Sequence, residues 1–330
     1  MSGVVYTHNR MCTILVSQIS GKFWLILFFK IQDYAQMPPV MGGGKIEFPS
    51  PHFPAGRTRR PRGTDGLEWM SAHLYTLSRN RQDNVRDRRP RPPTTLKVGV
   101  LNVRGISTDS QEQKREEIGR LFRKRKLDVL ALSETKMKGI GSSISEFGGV
   151  EVYWSGVDEA EHASSGVALL LSPEMKGSMT DHVEVSDRIM WIKLKLGREV
   201  WAIVSAYGPD SGKTDEVRAN FWNELRDCVD SFGNNVKVMV LGDLNARVGN
   251  TVIDGVVGVY SVPGVNESGE KLIDMCLEQE LVVGNTFFKK KRKNKYTWER
   301  QVRGIVVERA LMDYVLIAKK EQGRLVDVHA

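Results

Sequence analysis

The sequence predicts an α/β fold: a four-layered sandwich in which two mixed β-sheets pack face to face and helices cover their outer surfaces. Short apolar runs, typical of buried strands, recur through residues 95–330. Helical segments separate some of these runs, whereas residues 166–171, 189–196 and 200–207 follow one another without a helix and favour hairpins. A length of 330 residues, 41% of them hydrophobic, is enough for a core of this size.

The ordered part of the chain is predicted to begin at Thr95. Strands are predicted at residues 96–101, 129–132, 150–154, 166–171, 189–196, 200–207, 236–241, 281–284 and 312–317. Helices are predicted at residues 111–126, 215–232 and 268–279. In the first of these, Ile118, Leu121 and Phe122 share one side, as in an amphipathic helix that covers a sheet.

The most informative polar residues follow the strand predicted at residues 236–241. This strand is apolar apart from Lys237, which is typical of burial on both faces. Gly242 ends the run, and Asp243 and Asn245, two residues apart, would point to the same side of an extended chain. A carboxylate and a carboxamide aimed at one place suit metal-assisted attack on a phosphate. A strand followed by an Asx turn has the same residues.

Polar residues also stand at the ends of other predicted strands. Asn102, Glu134 and Tyr207 each follow an apolar run, and Asp313 lies at the start of the final one. Each residue alone is typical of a cap or a turn. Because α/β sheets collect functional side chains where strands end, these positions together with Asp243 predict one shared cleft.

The first 94 residues differ in composition from the rest. They hold 14 Lys and Arg against 6 Asp and Glu, so the net charge of +8 comes from this segment and residues 95–330 are neutral overall. The segment is rich in Arg, Pro and Gly, which predicts that residues 1–94 form a non-globular extension. Residues 23–31 are strongly apolar but too short to span a bilayer, which disfavours a membrane anchor.

The three cysteines, Cys12, Cys228 and Cys276, are odd in number and far apart in the sequence. This pattern disfavours a disulfide framework and predicts a reducing compartment, either nuclear or cytoplasmic. Neither a membrane nor an obligate protein partner is predicted.

Six short motifs resemble the endonuclease/exonuclease/phosphatase superfamily, whose fold is DNase I-like. They are LNVRG at 101–105, SETK at 133–136, AYGP at 206–209, GDLNA at 242–246, TW at 297–298 and MDYVL at 312–316. Within this superfamily the chain is similar to the apurinic-type endonuclease domains of non-LTR retrotransposons, and especially to craniofacial development protein 2-like proteins. The resemblance covers residues 95–330 and none of the N-terminal segment.

The resemblance implies a metal-dependent endonuclease that nicks DNA, with Mg²⁺ as cofactor and Mn²⁺ as an alternative ion. It implies that Glu134 holds the metal ion, since a carboxylate suits a hard cation that keeps several waters. Asp243 would position or deprotonate the attacking water, and Asn245 would stabilise charge on the phosphorus.

The resemblance also assigns supporting roles at the other strand ends. Asn102 would orient the site or the scissile phosphate. Tyr207 would donate a hydrogen bond to a phosphate oxygen, and Asp313 would support the site from its strand. The loop at about 299–309 would be a hairpin that probes the minor groove of DNA.

Departures from the family pattern are expected to weaken the activity. The family closes with a Ser-Asp-His triplet, and in the resemblance His329 falls in the strand before it. We therefore expect a C-terminally truncated domain that lacks its last strand and its catalytic histidine. The triplet Thr180-Asp181-His182 is similar but falls within a hairpin connection in mid-domain. Ala310 stands where relatives usually carry a serine.

A basic run precedes the predicted hairpin. The positions predicted to contact DNA are Lys289, Lys290, Lys291, Arg292, Lys293, Lys295, Thr297 and Trp298. As phosphate contacts, these cations would position DNA without reading its sequence. A solvated loop or a nuclear localisation signal has the same composition.

Three functions fit the sequence. The first is a Mg²⁺-dependent DNA endonuclease, which the basic run favours. The second is a phosphoesterase of the same fold that acts on RNA or small phosphorylated molecules. The third is a catalytically silent, retroelement-derived remnant that binds nucleic acid, which the departure at the terminal triplet favours.

Overall fold

A computed structural model describes residues 25–30 and 95–329, which fall within one compact unit. The α-helices of these residues are α1 (Glu112–Arg125), α2 (Pro173–Ser178), α3 (Asp215–Asp230) and α4 (Glu267–Glu278). The strands are β1 (Leu25–Lys30), β2 (Thr95–Asn102), β3 (Val129–Ser133), β4 (Ile140–Ser143), β5 (Glu151–Ser155), β6 (Val167–Leu171), β7 (Met179–Ser186), β8 (Ile189–Leu196), β9 (Glu199–Ala206), β10 (Val236–Asp243), β11 (Leu281–Val283), β12 (Trp298–Val302), β13 (Ile305–Ala310), β14 (Asp313–Ala318) and β15 (Leu325–His329). Within the described ranges, no helix is both long and apolar enough to cross a membrane.

The strands form two large mixed sheets and a separate hairpin. The first sheet has the strand order β15–β1–β2–β3–β6–β5–β4, and the second has the order β11–β14–β10–β9–β8–β7. The pairs β2–β3 and β9–β10 are parallel, and the other neighbours in both sheets are antiparallel. Strands β12 and β13 pair with each other and with no other strand of the described residues.

Three apolar clusters confirm the predicted four layers. The first lies between the sheets, where Val98, Leu169, Ile203 and Met239 are fully buried. The second packs α3 and α4 against the second sheet, and the third packs α1 against the first sheet. On β9, Ile203 belongs to the central cluster and its neighbour Val204 to the outer one. This alternation follows from the period of two along a strand and explains why the run from Val200 to Val204 is apolar on both faces.

The helices begin where the sequence provides caps. The Thr214 side chain accepts a hydrogen bond from the Val217 N–H at the start of α3, and Asn266 accepts one from Gly269 at the start of α4. Such caps satisfy backbone donors that have no partner within the helix. The observed bounds of α1, α3 and α4 confirm the three predicted helices to within about three residues at each end.

The predicted hairpin neighbours need one correction. Strands β8 and β9 pair antiparallel as expected, but β6 belongs to the first sheet, and the short helix α2 and strand β7 separate it from β8. Strands β4 and β7 were not predicted. The β7 sequence shows no apolar alternation, because most of its side chains face solvent at the edge of the second sheet.

The N-terminal segment needs a second correction. Within the predicted non-globular extension, Leu25–Lys30 forms β1 and pairs with β2 on one side and β15 on the other. An apolar run too short for a membrane is long enough for a central strand, whose backbone groups are then paired on both sides. Residues 1–24 and 31–94, to which the rest of that prediction applies, lie outside the described residues.

Candidate active site

Strand ends from both sheets meet at one place. In the first sheet, Asn102 at the end of β2 is opposite Ser133 at the end of β3, and Glu134 follows directly. In the second sheet, Asp243 at the end of β10 is opposite Asp313 at the start of β14. The Asn102 Nδ2 donates to Asp243 Oδ2 at 2.8 Å, and this hydrogen bond joins the two sheets.

Asp243 is the most constrained of these residues. Its side chain is buried, its Oδ2 accepts from Asn102, and its Oδ1 accepts from the Asn245 backbone N–H at 3.0 Å. Burial, with a smaller contribution from the Glu134 charge, raises the pKa of Asp243 from 3.8 to about 6, although the two hydrogen bonds act to lower it. The carboxylate is therefore ionised at neutral pH, yet more basic than an exposed aspartate.

The backbone around Asp243 is packed very closely. A Cβ atom on Gly242 would lie 1.8 Å from the Ala206 carbonyl oxygen, so only glycine fits here between β9 and β10. The segment after β9 is also held to the end of β10, because the Gly208 N–H donates to the Asp243 carbonyl at 2.9 Å. This close approach explains the glycine that ends the apolar run in the sequence.

Asp313 lies beside Asp243 and is also buried. Burial first, and then the Asp243 charge, raise the pKa of Asp313 well above its usual range. Its Oδ1 is buried without a hydrogen-bond partner. The Thr297 Oγ1 accepts from the backbone N–H groups of Met312 and Asp313, so this threonine fixes the start of β14.

Glu134 comes to the site on a strained backbone. Its φ angle is +54°, in the left-handed region that is uncommon for residues other than glycine. The Gly105 N–H donates to its carbonyl at 2.7 Å. Its carboxylate is half-buried, and the Lys136 Nζ lies 3.7 Å from its Oε1. The Glu134 charge contributes to the raised pKa of both Asp243 and Tyr207.

Tyr207 and Asn245 complete the cluster. Burial, then the charges of Glu134 and Asp243, raise the pKa of Tyr207 above its ordinary value of 10, so its hydroxyl stays protonated and can donate. The Asn245 Nδ2 donates to the Gly208 carbonyl at 2.9 Å. An amide nitrogen carries two N–H groups, so one donor of Asn245 is used to hold Gly208 and the second remains for a ligand.

The chemistry of these groups fits a divalent cation. Carboxylates raise one another's pKa here, and a buried Asp313 oxygen has no hydrogen-bond donor, so the site carries more negative charge than its own donors neutralise. Within the described residues, no group of three or more His, Cys, Asp or Glu side chains could hold a metal on its own. This combination fits an ion such as Mg²⁺, which takes few protein carboxylates and keeps waters and substrate oxygens as its other ligands.

The basic run is only partly free to bind DNA. Lys290 pairs with Asp327, and the Lys295 Nζ donates to the Tyr260 carbonyl at 2.8 Å. Lys289, Lys291 and Arg292 are exposed, and the Lys293 side chain lies outside the described residues. Of the two residues after the run, Thr297 supports β14, and the Arg247 guanidinium lies 5.8 Å from the Trp298 ring centroid.

The hairpin implied by the resemblance is present as β12 and β13. In the chain, the hairpin lies between Thr297 and Asp313. A 2.7 Å ion pair between Arg247 and Glu308 attaches the hairpin to the segment that follows Asn245. Beyond that anchor it presents Val302, Ile305 and Val307, which are 48%, 68% and 50% exposed. His182, in contrast, lies on edge strand β7, where its Nδ1 contacts Glu184 at 3.0 Å and its ring packs on Tyr153, so it is no substitute for a site histidine.

Sequence reasoning missed several residues next to the site. Arg104 has a φ of +50°, its backbone N–H donates to Asn102 Oδ1 at 3.0 Å, and its charge lowers the pKa of Asp313. Asp187 and Arg188 lie in the turn between β7 and β8. Their positions depend on contacts between distant strands, and no local pattern in the sequence marks them.

Comparison with protein families gives a direct match. The profile of the Endonuclease/Exonuclease/phosphatase family matches residues 99–317, about two thirds of the chain. Craniofacial development protein 2 of Tragulus javanicus is 24% identical over 201 residues, 61% of this chain and 34% of that protein. The Bos taurus protein is also 24% identical over 201 residues, 61% of this chain and 33% of that protein. The chain therefore spans about a third of the length of these relatives.

Solved structures show similar folds. The endonuclease domain of TRAS1, a telomere-specific non-LTR retrotransposon, is 14% identical, with a TM-score of 0.45 over 67% of this chain and 85% of that one. An AP endonuclease from Archaeoglobus fulgidus is 17% identical, with a TM-score of 0.48 over 70% of this chain and 90% of that one.

Proposed function

Because the chain belongs to the endonuclease/exonuclease/phosphatase family, we propose that it is a metal-dependent phosphodiesterase that nicks DNA. The observation that supports this proposal is the hydrogen bond from Asn102 to Asp243, which joins strand ends of the two sheets. Glu134 follows the strand that pairs with Asn102, and Asp313 is the strand partner of Asp243.

Each of the described side chains has its own role in the proposed reaction. Asp243, held by two hydrogen bonds, accepts the proton of the attacking water, for which a carboxylate with a raised pKa is suited. The Tyr207 hydroxyl and the remaining Asn245 N–H donate to phosphate oxygens as negative charge develops. Asn102 orients Asp243, and Asp313 supports it from β14.

Glu134 would hold the divalent ion, with Mg²⁺ as the expected species and Mn²⁺ as an alternative. When bound, the ion would neutralise negative charge on the phosphate. Glu134 is the best candidate because its carboxylate is half-buried and makes only a 3.7 Å contact to Lys136. The side chains of Asp243 and Asp313 are both more buried than that of Glu134.

DNA is favoured as the substrate by the surface beside the cleft. The β12–β13 hairpin leaves the protein next to Asp313 and presents apolar side chains at its tip, and Lys289, Lys291 and Arg292 are exposed before it. Cations of this kind bind the phosphate backbone, and an apolar tip suits contact with a groove.

The test is Glu134→Gln in a plasmid-nicking assay. We expect the wild type to nick supercoiled plasmid with Mg²⁺ or Mn²⁺ and to stop in EDTA, and the variant to nick about 10²–10³-fold more slowly. The matched control is Glu184→Gln, a carboxylate of similar exposure on β7 that should leave the rate unchanged. Undiminished nicking by Glu134→Gln, or in EDTA, would contradict the proposal. Salt-sensitive binding without hydrolysis would favour the silent binding function instead.

A further inference from the structure

The turn between β7 and β8, formed by Asp187 and Arg188, holds Tyr207 by three contacts. The Tyr207 N–H donates to the Arg188 carbonyl at 2.8 Å, and the Arg188 Nη1 donates to the Tyr207 carbonyl at 3.2 Å. The centre of the guanidinium lies 5.2 Å from the centroid of the Tyr207 ring. One buried arginine therefore fixes both the backbone and the ring of Tyr207, the residue that directly follows β9.

The same turn holds the loop that carries Glu134. The Ser165 hydroxyl donates to Asp187 Oδ2, and the Gly166 N–H donates to the Asp187 carbonyl at 3.0 Å. Ser165 and Gly166 in turn accept hydrogen bonds from the backbone N–H groups of Lys136, at 2.8 Å, and Thr135, at 3.0 Å. These bonds pin the segment directly after Glu134, whose left-handed backbone needs support from its surroundings.

Together, these two sets of contacts connect the first sheet to the second. Glu134 follows β3 of the first sheet, and Tyr207 follows β9 of the second. A continuous path runs from Glu134 through Thr135, Gly166 and Asp187 to Arg188 and Tyr207. The hydrogen bond between Asn102 and Asp243 also joins the two sheets, and this path connects them through other residues.

We propose that the Asp187 and Arg188 turn is a positioning element that sets the Tyr207 hydroxyl relative to Glu134 across the cleft, with Arg188 acting through Tyr207. The expected effect on kcat rests on the proposed function, whereas the expected effect on the position of Tyr207 does not. Lysine cannot replace Arg188, because an ammonium group lacks the planar fork that hydrogen-bonds and stacks at the same time.

The kinetic test is a double-mutant cycle with Arg188→Met and Tyr207→Phe. Methionine keeps the apolar stem and removes the guanidinium. We expect Arg188→Met to lower kcat about tenfold with little change in KM. The double variant should be no slower than Tyr207→Phe alone, because both changes remove the contribution of the Tyr207 hydroxyl, one by displacing it and the other by deleting it. Arg188→Lys should be nearly as slow as Arg188→Met.

The matched control is Arg198→Met, an exposed arginine in the turn at the other end of β8. It should leave kcat and the melting temperature unchanged. If Arg188 served only general stability, its effect would multiply with that of Tyr207→Phe, and Arg188→Lys would restore activity; either result would overturn the proposal.

A second readout needs no activity. In protein labelled with ¹³C at the tyrosine Cζ, the Tyr207 signal is the one missing from Tyr207→Phe. We expect Arg188→Met and Arg188→Lys to shift that signal and Arg198→Met to leave it in place. An unmoved Tyr207 signal overturns the positioning role. A shifted signal in a protein that nicks no DNA keeps the positioning role and rejects the proposed function.

Discussion

The two sheets both contribute to the cleft, but they are assembled from different parts of the chain. The strands of the second sheet lie between Met179 and Ala318 and bring Tyr207, Asp243 and Asp313. The first sheet brings Asn102 and Glu134, and one edge of it joins β1 and β15, from opposite ends of the described chain. Among the described strands, β15 pairs with β1 alone. We therefore expect the second sheet to be destabilised mainly by local packing defects, and the first sheet mainly by substitutions that weaken the pairing of β1.

The largest effect is expected in the second sheet, from Gly242→Ala. The new methyl group would overlap the Ala206 carbonyl, so β9 and β10 must move apart. We expect unfolding free energy to fall by about 3 kcal/mol, measured by urea denaturation, together with loss of nicking. The control is Gly177→Ala in α2, where a Cβ atom meets nothing within 4 Å and stability should be unchanged or slightly higher. Equal effects at both positions would contradict the close approach of the two strands.

A smaller and more local effect is expected in the first sheet, from Leu27→Pro. Leu27 is opposite Val98 on β2 and Val328 on β15, and proline removes its N–H from the ladder. We expect the amides of β15 to exchange hydrogen at least tenfold faster, which corresponds to a local cost of about 1.4 kcal/mol. Amides of β10 and β14 should keep their protection. Leu27→Val keeps the N–H and should change neither region; loss of protection throughout the protein would show that the sheets unfold together.

The smallest effect is a pH-dependent change in stability at the cleft. The Asp243 pKa is raised from 3.8 to about 6 on folding, so the native state binds more protons between these values and stability falls as pH rises through them. A difference of two pKa units corresponds to about 3 kcal/mol, which is the stability that the folded protein loses when Asp243 ionises. Asp243→Asn removes this cost, but part of the resulting gain in stability is lost because the amide accepts a weaker hydrogen bond from Asn102.

The net expectation for Asp243→Asn in EDTA is a stability gain of about 1 kcal/mol at pH 8 that disappears below pH 4. Thermal melts of both proteins across this range measure it. A variant that is less stable than the wild type at pH 8 would show that the ionised carboxylate is not a cost to the fold.

The sequence predicted the parts of the fold and site that depend on local pattern. Apolar runs marked the central strands, and two of the polar residues at their ends, Asn102 and Asp243, are hydrogen-bonded to each other. Strand β1 was missed because a run of apolar residues does not reveal which strands it will pair with. Arg188 was missed because its importance comes from contacts with Tyr207, 19 residues away. The left-handed backbone of Glu134 is likewise imposed by neighbouring loops.

The place of β1 in the first sheet has a consequence for how the protein is made. During synthesis β1 can pair with β2 as soon as Asn102 has left the ribosome, but β15 emerges after every other described strand. Until then the outer edge of an apolar strand lacks its partner, and such edges are templates for pairing with other chains. The nascent chain therefore carries an aggregation-prone edge from the emergence of β2 until the emergence of β15, and the pairing of β1 is complete only when synthesis has passed His329.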